Sequence, residues 1–478
     1  MSSLKQQTIS GMIWSGVQRF GTMGISFISN MVLARLLTPD DFGCIGMLAI
    51  FIALSNTFID GGFGSALIQK KEPTQEDYST IFYWNIILGV ILYLILYLSS
   101  PYIASFYDIP LLEDVLKVQG VVLIINSFSI IQTNQLRKKL LFKKLAIVNI
   151  IATTCSIILA IVMAYKGKGV WSLVGQQLSA SIITAILLWI IGKWTPAMCF
   201  SFNSFKSLFK FGSFIFLSSF INTLFNNING LIIGKLFSSA TMGYFSQAKK
   251  VEECSAVSIR GVVEQVTYPV LVEFQNDQIA MKSALKRFNC LLLYIVTPLM
   301  LIISLLSDSI IVFLFSEKWL PASKYLHILA IQGIAIGWEG VNYNAVAAVG
   351  KSRALFNATI IKRFISLGLM IMGVWVGGII GLLWGMTLAS YVIVLYNMVL
   401  VRKFINYTLI SQIKPVLPIF LISTISYLLV RYVVFIDHQI EIIEILTNGI
   451  IFTCIYIVLS LVFKIDSLNM LFSQLRTR

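Results

Sequence analysis

Long apolar stretches separated by short polar segments run through the whole chain, and we interpret fourteen of them as membrane-spanning helices. A spanning helix needs about 20 predominantly apolar residues, and 57% of the 478 residues are apolar. Every predicted connection is short, so we expect no soluble domain on either side of the membrane. The pattern predicts an all-α polytopic membrane protein with spans at 10–37, 41–69, 79–106, 112–136, 142–165, 169–192, 206–236, 240–272, 283–307, 322–349, 354–376, 379–402, 413–435 and 442–463.

Charged residues are scarce and unevenly placed, which changes how the net charge of +15 is interpreted. They make up 12% of the chain, about half of the usual 25% in soluble proteins, and this excludes a soluble enzyme. With the N-terminus inside, 22 of the 36 cations fall in cytoplasmic segments, eight in outer segments and six within spans. Cytoplasmic loops of membrane proteins are enriched in Lys and Arg. The charge therefore predicts that both termini are cytoplasmic, and it does not imply nucleic-acid binding.

Cofactor chemistry has little support in the sequence. None of the six cysteines lies in a CxxC pair, and the chain has two histidines, so we expect neither a zinc nor an iron–sulfur site. The first apolar segment lacks a cleavage site of small residues, and we interpret it as an uncleaved span instead of a signal peptide.

An internal repeat divides most of the chain into halves. Residues 33–43 (LARLLTPDDFG) match residues 233–243 (IGKLFSSATMG) at an offset of 200, and Gln119-Gly120 and the stretch 167–178 have later counterparts at Gln332-Gly333 and 377–388. Six spans per repeat place both halves in the same orientation, as in transporters built from parallel repeats. We predict one six-helix bundle at 1–200, a second at 201–407, and two further spans and a cytoplasmic tail at 408–478.

Polar side chains form a stripe on the first span and on its repeat partner, the seventh. Arg19 lies on the first stripe, and Asn222 and Asn226 lie on the second, all at helical spacings of three and four residues. One interpretation is hydrogen bonding between packed helices. The other is the lining of a water-filled cavity, which the charge of Arg19 favours.

The eighth span is the most charged segment. On an ideal α-helix, Lys249, Glu253, Arg260 and Glu264 share one face, and Lys250 lies beside them. Charges within a bilayer are expected to meet water, a ligand or countercharges. The alternative is that the two i,i+4 pairs on this face neutralise one another.

Other ionisable groups stand alone inside predicted spans. Asp60 lies deep in the second span, Glu339 in the middle of the tenth, and Lys362 and Arg363 in the eleventh. An intramembrane carboxylate is a candidate for proton or sodium coupling, and a salt bridge to a cation such as Arg19 is the alternative. The coupling candidates are Asp60, Glu253, Glu264 and Glu339.

Two of these motifs carry a family resemblance. The stretch LARLLTPDDFG at 33–43, followed by DGGFGSALIQKK at 60–71, resembles the opening of Wzx-type polysaccharide and lipopolysaccharide flippases, members of the multidrug/oligosaccharidyl-lipid/polysaccharide exporter superfamily. The resemblance implies two six-helix bundles in a V shape around a central cavity, with the last two spans forming a groove for a lipid tail. It also implies alternating access, as in other transporters with repeats.

The implied cargo is a polyprenyl-diphosphate-linked oligosaccharide, moved across the bacterial inner membrane for lipopolysaccharide, capsule or exopolysaccharide synthesis. No cofactor is implied beyond a coupled proton or sodium ion, and the expected partners are membrane lipids, a polysaccharide polymerase and other assembly proteins. Arg19 and Arg260 match positions where such families place arginines. The full set of predicted diphosphate or sugar ligands is Arg19, Arg260, Lys249, Lys250, Arg363, Asn222 and Asn226.

Three other functions remain open at the level of sequence, one of which is a non-transporting scaffold for a glycan assembly complex. A cation-coupled drug exporter of the same superfamily is expected to have twelve spans and an acidic cavity. A membrane polysaccharide polymerase or ligase needs a large outer loop with catalytic groups, whereas the longest predicted outer segments here have about 15 residues. The fourteen spans and the intramembrane arginines favour the flippase.

Overall fold

The computed structural model describes residues 2–465 and, within them, all side chains except those of residues 2–9, 12, 257, 262, 264, 265 and 352. No strand occurs in this part of the chain, and the protein is an all-helical, multi-span membrane protein. The cations Arg476 and Arg478 of the predicted tail lie outside the described residues. The helices are α1 (Ser2–Leu36), α2 (Pro39–Asp60), α3 (Phe63–Gln69), α4 (Gln75–Tyr107), α5 (Leu111–Gln119), α6 (Val121–Ser127), α7 (Ile130–Lys138), α8 (Phe142–Tyr165), α9 (Val170–Gly192), α10 (Phe202–Leu236), α11 (Ser239–Glu252), α12 (Ser258–Glu273), α13 (Gln278–Leu305), α14 (Ser307–Phe315), α15 (Pro321–Ala348), α16 (Ser352–Ile405), α17 (Leu409–Ile413), α18 (Leu417–Leu429) and α19 (Glu441–Val462).

Each of the fourteen predicted spans coincides with a helix or with a run of consecutive helices. By length and composition alone, nine helical segments between residues 2 and 465 could cross a membrane, or ten if the bent run α5–α7 is counted. The helix α1, the α11–α12 run and α15 are not among the nine, and all three carry polar or charged candidate residues. The total of fourteen stays a prediction.

Breaks in the long helices have local causes. The helix α16 loses helical geometry at Gly377 and at Gly378, whose φ is 58°, a left-handed value that suits glycine. This break coincides with the predicted boundary between the spans 354–376 and 379–402. The hydropathy pattern does not predict the short helix α14, because its nine residues lie in the predicted outer segment between two spans.

The chain divides into two compact units, Met1–Gly243 and Tyr244–Arg478. In the first unit α1 packs on α8, α8 packs on α9, and α2 packs on α10. In the second unit α15 is buried along most of its length and packs against α12, α13 and α16, while α18 and α19 pack near α13 and α14. The bundle boundaries 1–200, 201–407 and 408–478 stay predictions.

Polar caps fix the ends of the helices in the first unit. Thr38 and Asp41 form a capping box at the start of α2. Ser238, the residue that matches Thr38 at the offset of 200, accepts a hydrogen bond from the Thr241 backbone N–H at 3.1 Å at the start of α11. The end of α3 is capped by Lys138, whose Nζ donates to the carbonyl oxygens of residues 67, 68 and 70.

One residue expected at the membrane interface lies in the core instead. The sequence suggests that Trp319 anchors a span end, but its side chain is fully buried and packs edge-on against Tyr244, with ring centroids 6.0 Å apart. The helix α14, which the sequence does not predict, precedes Trp319 and covers its side chain.

Candidate functional site

A cluster of charged side chains lies inside the second unit, where α12, α15 and α16 pack together. Glu339 of α15 is its centre: Oε1 is 3.1 Å from Lys362 Nζ, and Oε2 is 3.6 Å from an Arg260 guanidinium nitrogen. Arg363 is within electrostatic range of the same carboxylate. We call Arg260, Glu339, Lys362 and Arg363 the Glu339 cluster.

The Glu339 cluster is partly open to solvent, and three of its four members are basic residues. The Lys362 side chain is 8% exposed, whereas Arg260 and Glu339 keep 27% and 23% of their surface. Lys362 Nζ also lies 5.7 Å from the centroid of the Tyr343 ring, at the distance of a cation–π contact. The exposed surface of Arg260 leaves the cluster accessible to an anion.

A turn of π-helix, Glu253–Val257, separates α11 from α12 and alters the predicted charged face. A π turn contains one residue more than an α turn, so residues beyond it rotate by about 100° relative to a continuous helix. Lys249 and Arg260 therefore do not share a face as an ideal helix predicts. π turns occur frequently at functional sites, and this one directly precedes Arg260.

The other charged candidates of this segment have separate surroundings. Lys249 Nζ is 2.7 Å from Oε2 of the buried Glu252, so its partner is three residues away instead of Glu253. Lys250 and Glu253 are exposed. The side chain of Glu264 lies outside the part of the chain that the structure describes.

The candidates of the first unit lie on three helices. Arg19 on α1 and Asn226 on α10 are exposed, and Asn222 is half-buried. Between α2 and α10, the hydroxyl oxygens of Thr57 and Thr223 are 3.1 Å apart. Thr223 follows Asn222 in the sequence but is not part of the predicted stripe, so both interpretations of the stripe stay predictions.

Asp60 is the last residue of α2 and is followed by two glycines in left-handed conformation. Gly61 has φ of 53° and Gly62 has φ of 74°, which ends α2 before α3 begins. A Cβ atom on Gly62 would collide with the carbonyl oxygen of Gly212 on α10. The DGG motif is thus a helix break that lets two backbones approach closely, and it places the Asp60 carboxylate at the break.

Matching residues of the two repeats make matching contacts. Gln119 Nε2 donates to Gln177 Oε1 at 2.7 Å, and Gln332 Nε2 donates to Ser390 Oγ at 2.9 Å, with the same separation of 58 residues. Seven residues further along each repeat lies another polar residue. Asn126 of the first unit donates a hydrogen bond to Asn56 at 3.2 Å, and its equivalent in the second unit, Glu339, binds cations. These pairs support the internal repeat, with the charged version in the second unit.

A reciprocal contact of two glycines joins α2 to the start of α11. A Cβ atom on Gly43 would collide with the carbonyl oxygen of Ser239, and one on Gly243 would collide with the carbonyl oxygen of Pro39. Gly43 and Gly243 are 200 residues apart in the sequence, and so are Pro39 and Ser239, the residues that they contact. The side chain of Ser239 also donates a hydrogen bond to Asp40.

The structure thus brings together Arg260, Glu339 and Arg363 from the predicted set and adds Lys362. The sequence signal for Lys362 was its place beside Arg363 inside a span, although it was not counted among the ligands. Within residues 2–465, no group of three or more His, Cys, Asp or Glu side chains is placed to hold a metal ion. The chemistry available at the Glu339 cluster is anion binding and exchange of ion-pair partners.

Comparison with known proteins gives a family and a fold. Residues 32–324 match the family model described as "Polysaccharide biosynthesis protein". The teichuronic acid biosynthesis protein TuaB of Bacillus subtilis (strain 168) is 26% identical over 358 residues, which are 74% of each chain. The lipopolysaccharide biosynthesis protein WzxC of Escherichia coli (strain K12) is 22% identical over 392 residues, covering 82% of this chain and 80% of its own.

A solved structure described as the lipid II flippase MurJ in an inward closed conformation has a similar fold. It aligns with a TM-score of 0.73 at 18% identity and covers 95% of this chain and 99% of its own. This likeness extends over both units and the C-terminal helices.

Proposed function

Because this chain belongs to the polysaccharide biosynthesis protein family, we propose that it is a flippase for a lipid-linked oligosaccharide. Its cargo is an oligosaccharide repeat unit on a polyprenyl diphosphate, moved from the cytoplasmic to the outer leaflet of the bacterial inner membrane. Relatives named for teichuronic acid and lipopolysaccharide biosynthesis, and the fold shared with a lipid II flippase, support this class of cargo.

The Glu339 cluster is the observation that carries the proposal. A diphosphate cannot cross a hydrocarbon core of about 30 Å without losing its hydration, at a prohibitive cost in free energy. Buried cations can replace that hydration, and the planar fork of a guanidinium matches phosphate oxygens. Arg260, Lys362 and Arg363 supply three such cations, of which Arg260 keeps an exposed surface.

Glu339 gives these cations a partner between transport cycles. When a diphosphate binds, its oxygens compete with the Glu339 carboxylate for Arg260 and Lys362. Protonation of Glu339 removes the competitor and favours the bound anion, and ionisation favours release. Glu339 is therefore our first candidate for proton coupling, ahead of Asp60 and Glu253. Alternating access moves the diphosphate while the polyprenyl tail stays in lipid, and no covalent step is involved.

The topology completes the proposal. Both termini lie in the cytoplasm, as the positive charge of the predicted inner segments indicates, and a polysaccharide polymerase and other assembly proteins receive the cargo on the outer side. No cofactor is required beyond a coupled proton or sodium ion.

Deletion of the gene followed by lipid extraction tests the function. For a flippase, we expect a lipid-linked repeat unit to accumulate and to be inaccessible to glycosidases added outside spheroplasts. Unchanged lipid-linked pools with a gain in drug sensitivity would support a drug exporter of the same superfamily instead. Accumulation of the same lipid on the outer face would indicate a polymerase or ligase.

Substitution of the two arginines tests the cation sites. We expect Arg260→Ala to reduce surface glycan at least tenfold, because a hydrogen bond between charged groups contributes about 1.5–3 kcal/mol. Arg19→Ala is expected to have a similar effect, and the double variant is expected to abolish export with unchanged amounts of protein in the membrane. The control is Arg402→Ala, an exposed arginine in the last turn of α16. Full glycan production by the double variant would contradict the assignment of both arginines.

A further inference from the structure

Two neighbouring concavities of the first unit lie beside α9 and the α6–α7 segment, and none of their lining residues belongs to the Glu339 cluster. The larger one is an apolar groove of about 460 Å³, and the smaller one is a polar pocket of about 230 Å³. Ile125, Phe128, Ile182, Ile186, Trp189 and Ile190 line the apolar groove. The polar pocket is lined by Gln132, Gln135, Lys139, Lys144 and Lys193. We call the two parts together the α7–α9 cleft.

A buried amide forms part of the wall of the polar pocket. Gln132 is 1% exposed, and neither its Oε1 nor its Nε2 has a hydrogen-bond partner among the described protein atoms. Its side chain packs against Gly192, where a Cβ atom would lie 3.6 Å from Gln132 Cγ. A buried amide without a partner costs about 1–3 kcal/mol. This position therefore favours a ligand that can accept a hydrogen bond from the amide.

The charge around the pocket is entirely positive. Lys139, Lys144 and Lys193 are exposed at its rim, and no carboxylate is among its lining residues. The sequence contains no Asp or Glu between Asp114 and Glu252. Other lysines of the first unit have acidic partners, such as Lys70 with Asp77 at 2.6 Å. The pocket is thus suited to an anion.

The two parts of the cleft follow one another along α9. The apolar groove extends from Ile182 to Ile190, about 12 Å along the helix axis at 1.5 Å per residue, and the polar pocket begins at the next residue. Trp189 Nε1 donates to the Phe128 carbonyl oxygen at 3.0 Å and holds the two walls of the apolar groove together. An amphiphile with an anionic head and an apolar tail fits this order.

We propose that the α7–α9 cleft binds one anionic phospholipid, with its phosphate in the polar pocket and an acyl chain in the apolar groove. Basic pockets between spanning helices on the cytoplasmic side bind anionic lipid head groups, and the charge pattern predicts that this end of α9 is cytoplasmic. The pocket volume of about 230 Å³ is below the 300–1,000 Å³ of drug-sized sites, which is too small for the oligosaccharide of a cargo lipid. The phosphate lies between the lysine ammonium groups and accepts a hydrogen bond from Gln132.

Titration of the delipidated full chain in detergent tests the proposal, with phosphatidylglycerol as the probe and native mass spectrometry as the readout. Each lysine near a lipid head group contributes about 1 kcal/mol, so Lys144→Gln/Lys193→Gln is expected to weaken phosphatidylglycerol binding about 25-fold. The control is Lys166→Gln/Lys168→Gln, which removes two exposed lysines near the opposite end of α9. We expect the control to bind within twofold of the unchanged protein.

The variant Gln132→Leu separates lipid binding from folding. Leucine removes a buried amide that has no protein partner, so the unfolding temperature without lipid is expected to stay the same or rise. Phosphatidylglycerol binding is expected to weaken about tenfold, because the amide no longer donates to the phosphate. An unchanged affinity in both Gln132→Leu and the lysine pair would overturn the proposal.

Competing ligands distinguish the sources of the phosphate. Phosphatidylcholine and inorganic phosphate are expected to bind at least tenfold more weakly than phosphatidylglycerol. Inorganic phosphate that displaced phosphatidylglycerol at equal concentration would indicate a simple phosphate site and contradict a lipid ligand. Tighter binding of undecaprenyl diphosphate than of phosphatidylglycerol would indicate a docking site for the cargo and would also contradict the proposal.

Discussion

At the scale of single residues, Glu339 shows how a carboxylate can be retained inside a helical bundle. It accepts a hydrogen bond from Lys362 at 3.1 Å and forms an ion pair with Arg260 at 3.6 Å, and the Lys362 side chain is almost entirely buried. Removing one member of a buried ion pair leaves the other charge uncompensated, whereas replacing both members by apolar residues is often neutral. Stability and function at this cluster can therefore be separated experimentally.

We predict that Glu339→Ala lowers the free energy of unfolding by about 3 kcal/mol, because Lys362 loses its carboxylate partner. Because Glu339 is partly exposed, this value lies at the lower end of the range of about 3–5 kcal/mol for breaking a buried ion pair. Glu339→Ala/Lys362→Met is expected to recover most of the loss. Thermal unfolding of the purified protein in detergent measures the stability of the single and of the double variant. A double variant no more stable than Glu339→Ala would show that the ion pair does not determine stability here.

Sequence alone indicated most of this cluster but not its pairing. Glu339, Arg260 and Arg363 stood out because ionisable residues are rare inside spans. The pairing of Lys249 with Glu252 could not be predicted, because the π turn at Glu253–Val257 contains no proline or glycine that would mark it. That turn packs against α15, so its position depends on tertiary contacts that a helical wheel does not include.

At the scale of helices, close packing of backbones explains the glycines of the repeat motif without reference to a ligand. Gly43 and Gly243 each face a carbonyl oxygen that leaves no space for a methyl group. Backbone atoms, unlike the ends of flexible side chains, cannot move aside locally. The separation of α2 from the start of α11 is therefore fixed by these two residues.

We predict that Gly43→Ala and Gly243→Ala each lower the free energy of unfolding by about 1–3 kcal/mol through overpacking. The double variant is expected to lose less than the sum, because one displacement relieves both collisions. Gly24→Ala on α1 is the control, since a Cβ atom there meets nothing within 4 Å, and its helix propensity favours a gain of up to about 1 kcal/mol. Equal unfolding temperatures for Gly43→Ala and Gly24→Ala would refute the packing argument.

Helix boundaries can be predicted where the hydropathy pattern and the positions of glycines indicate the same break, and less well elsewhere. The break in α16 was predicted because Gly377 and Gly378 interrupt an otherwise continuous apolar run. Hydropathy does not reveal the helix α14, because nine residues are too few for a span. The buried position of Trp319 follows from that helix and has no local signal.

At the scale of the whole molecule, the family and the helical architecture could be inferred from two motifs and the hydropathy pattern. The resemblance drawn from LARLLTPDDFG and DGGFGSALIQKK is confirmed by the family match, which begins at residue 32. The α7–α9 cleft could not be inferred, because its lysines counted only as cytoplasmic loop charges and Gln132 has no distinguishing sequence context. Orientation rests on charge alone and can be measured.

We predict that the two ends of α9 lie on opposite sides of the membrane, with Lys168 outside and Lys193 inside. In a background without the six native cysteines, of which Cys155 and Cys454 are exposed, Lys168→Cys is expected to react with a membrane-impermeant maleimide on intact cells. Lys193→Cys is expected to react only after the cells are permeabilised. The reverse pattern would invert the assignment of every loop.

The reciprocal glycine contact also bears on the history of the chain. In a two-fold symmetric homodimer, residue i of one subunit meets residue j of the other, and j meets i. Gly43 with Ser239 and Gly243 with Pro39 follow this rule within one polypeptide, because the members of each equivalent pair are 200 residues apart. A dimeric ancestor with half this length would have needed only one glycine codon to make both contacts. A chain formed by fusion of two such copies must maintain two codons, so each half of it constrains how the other can evolve.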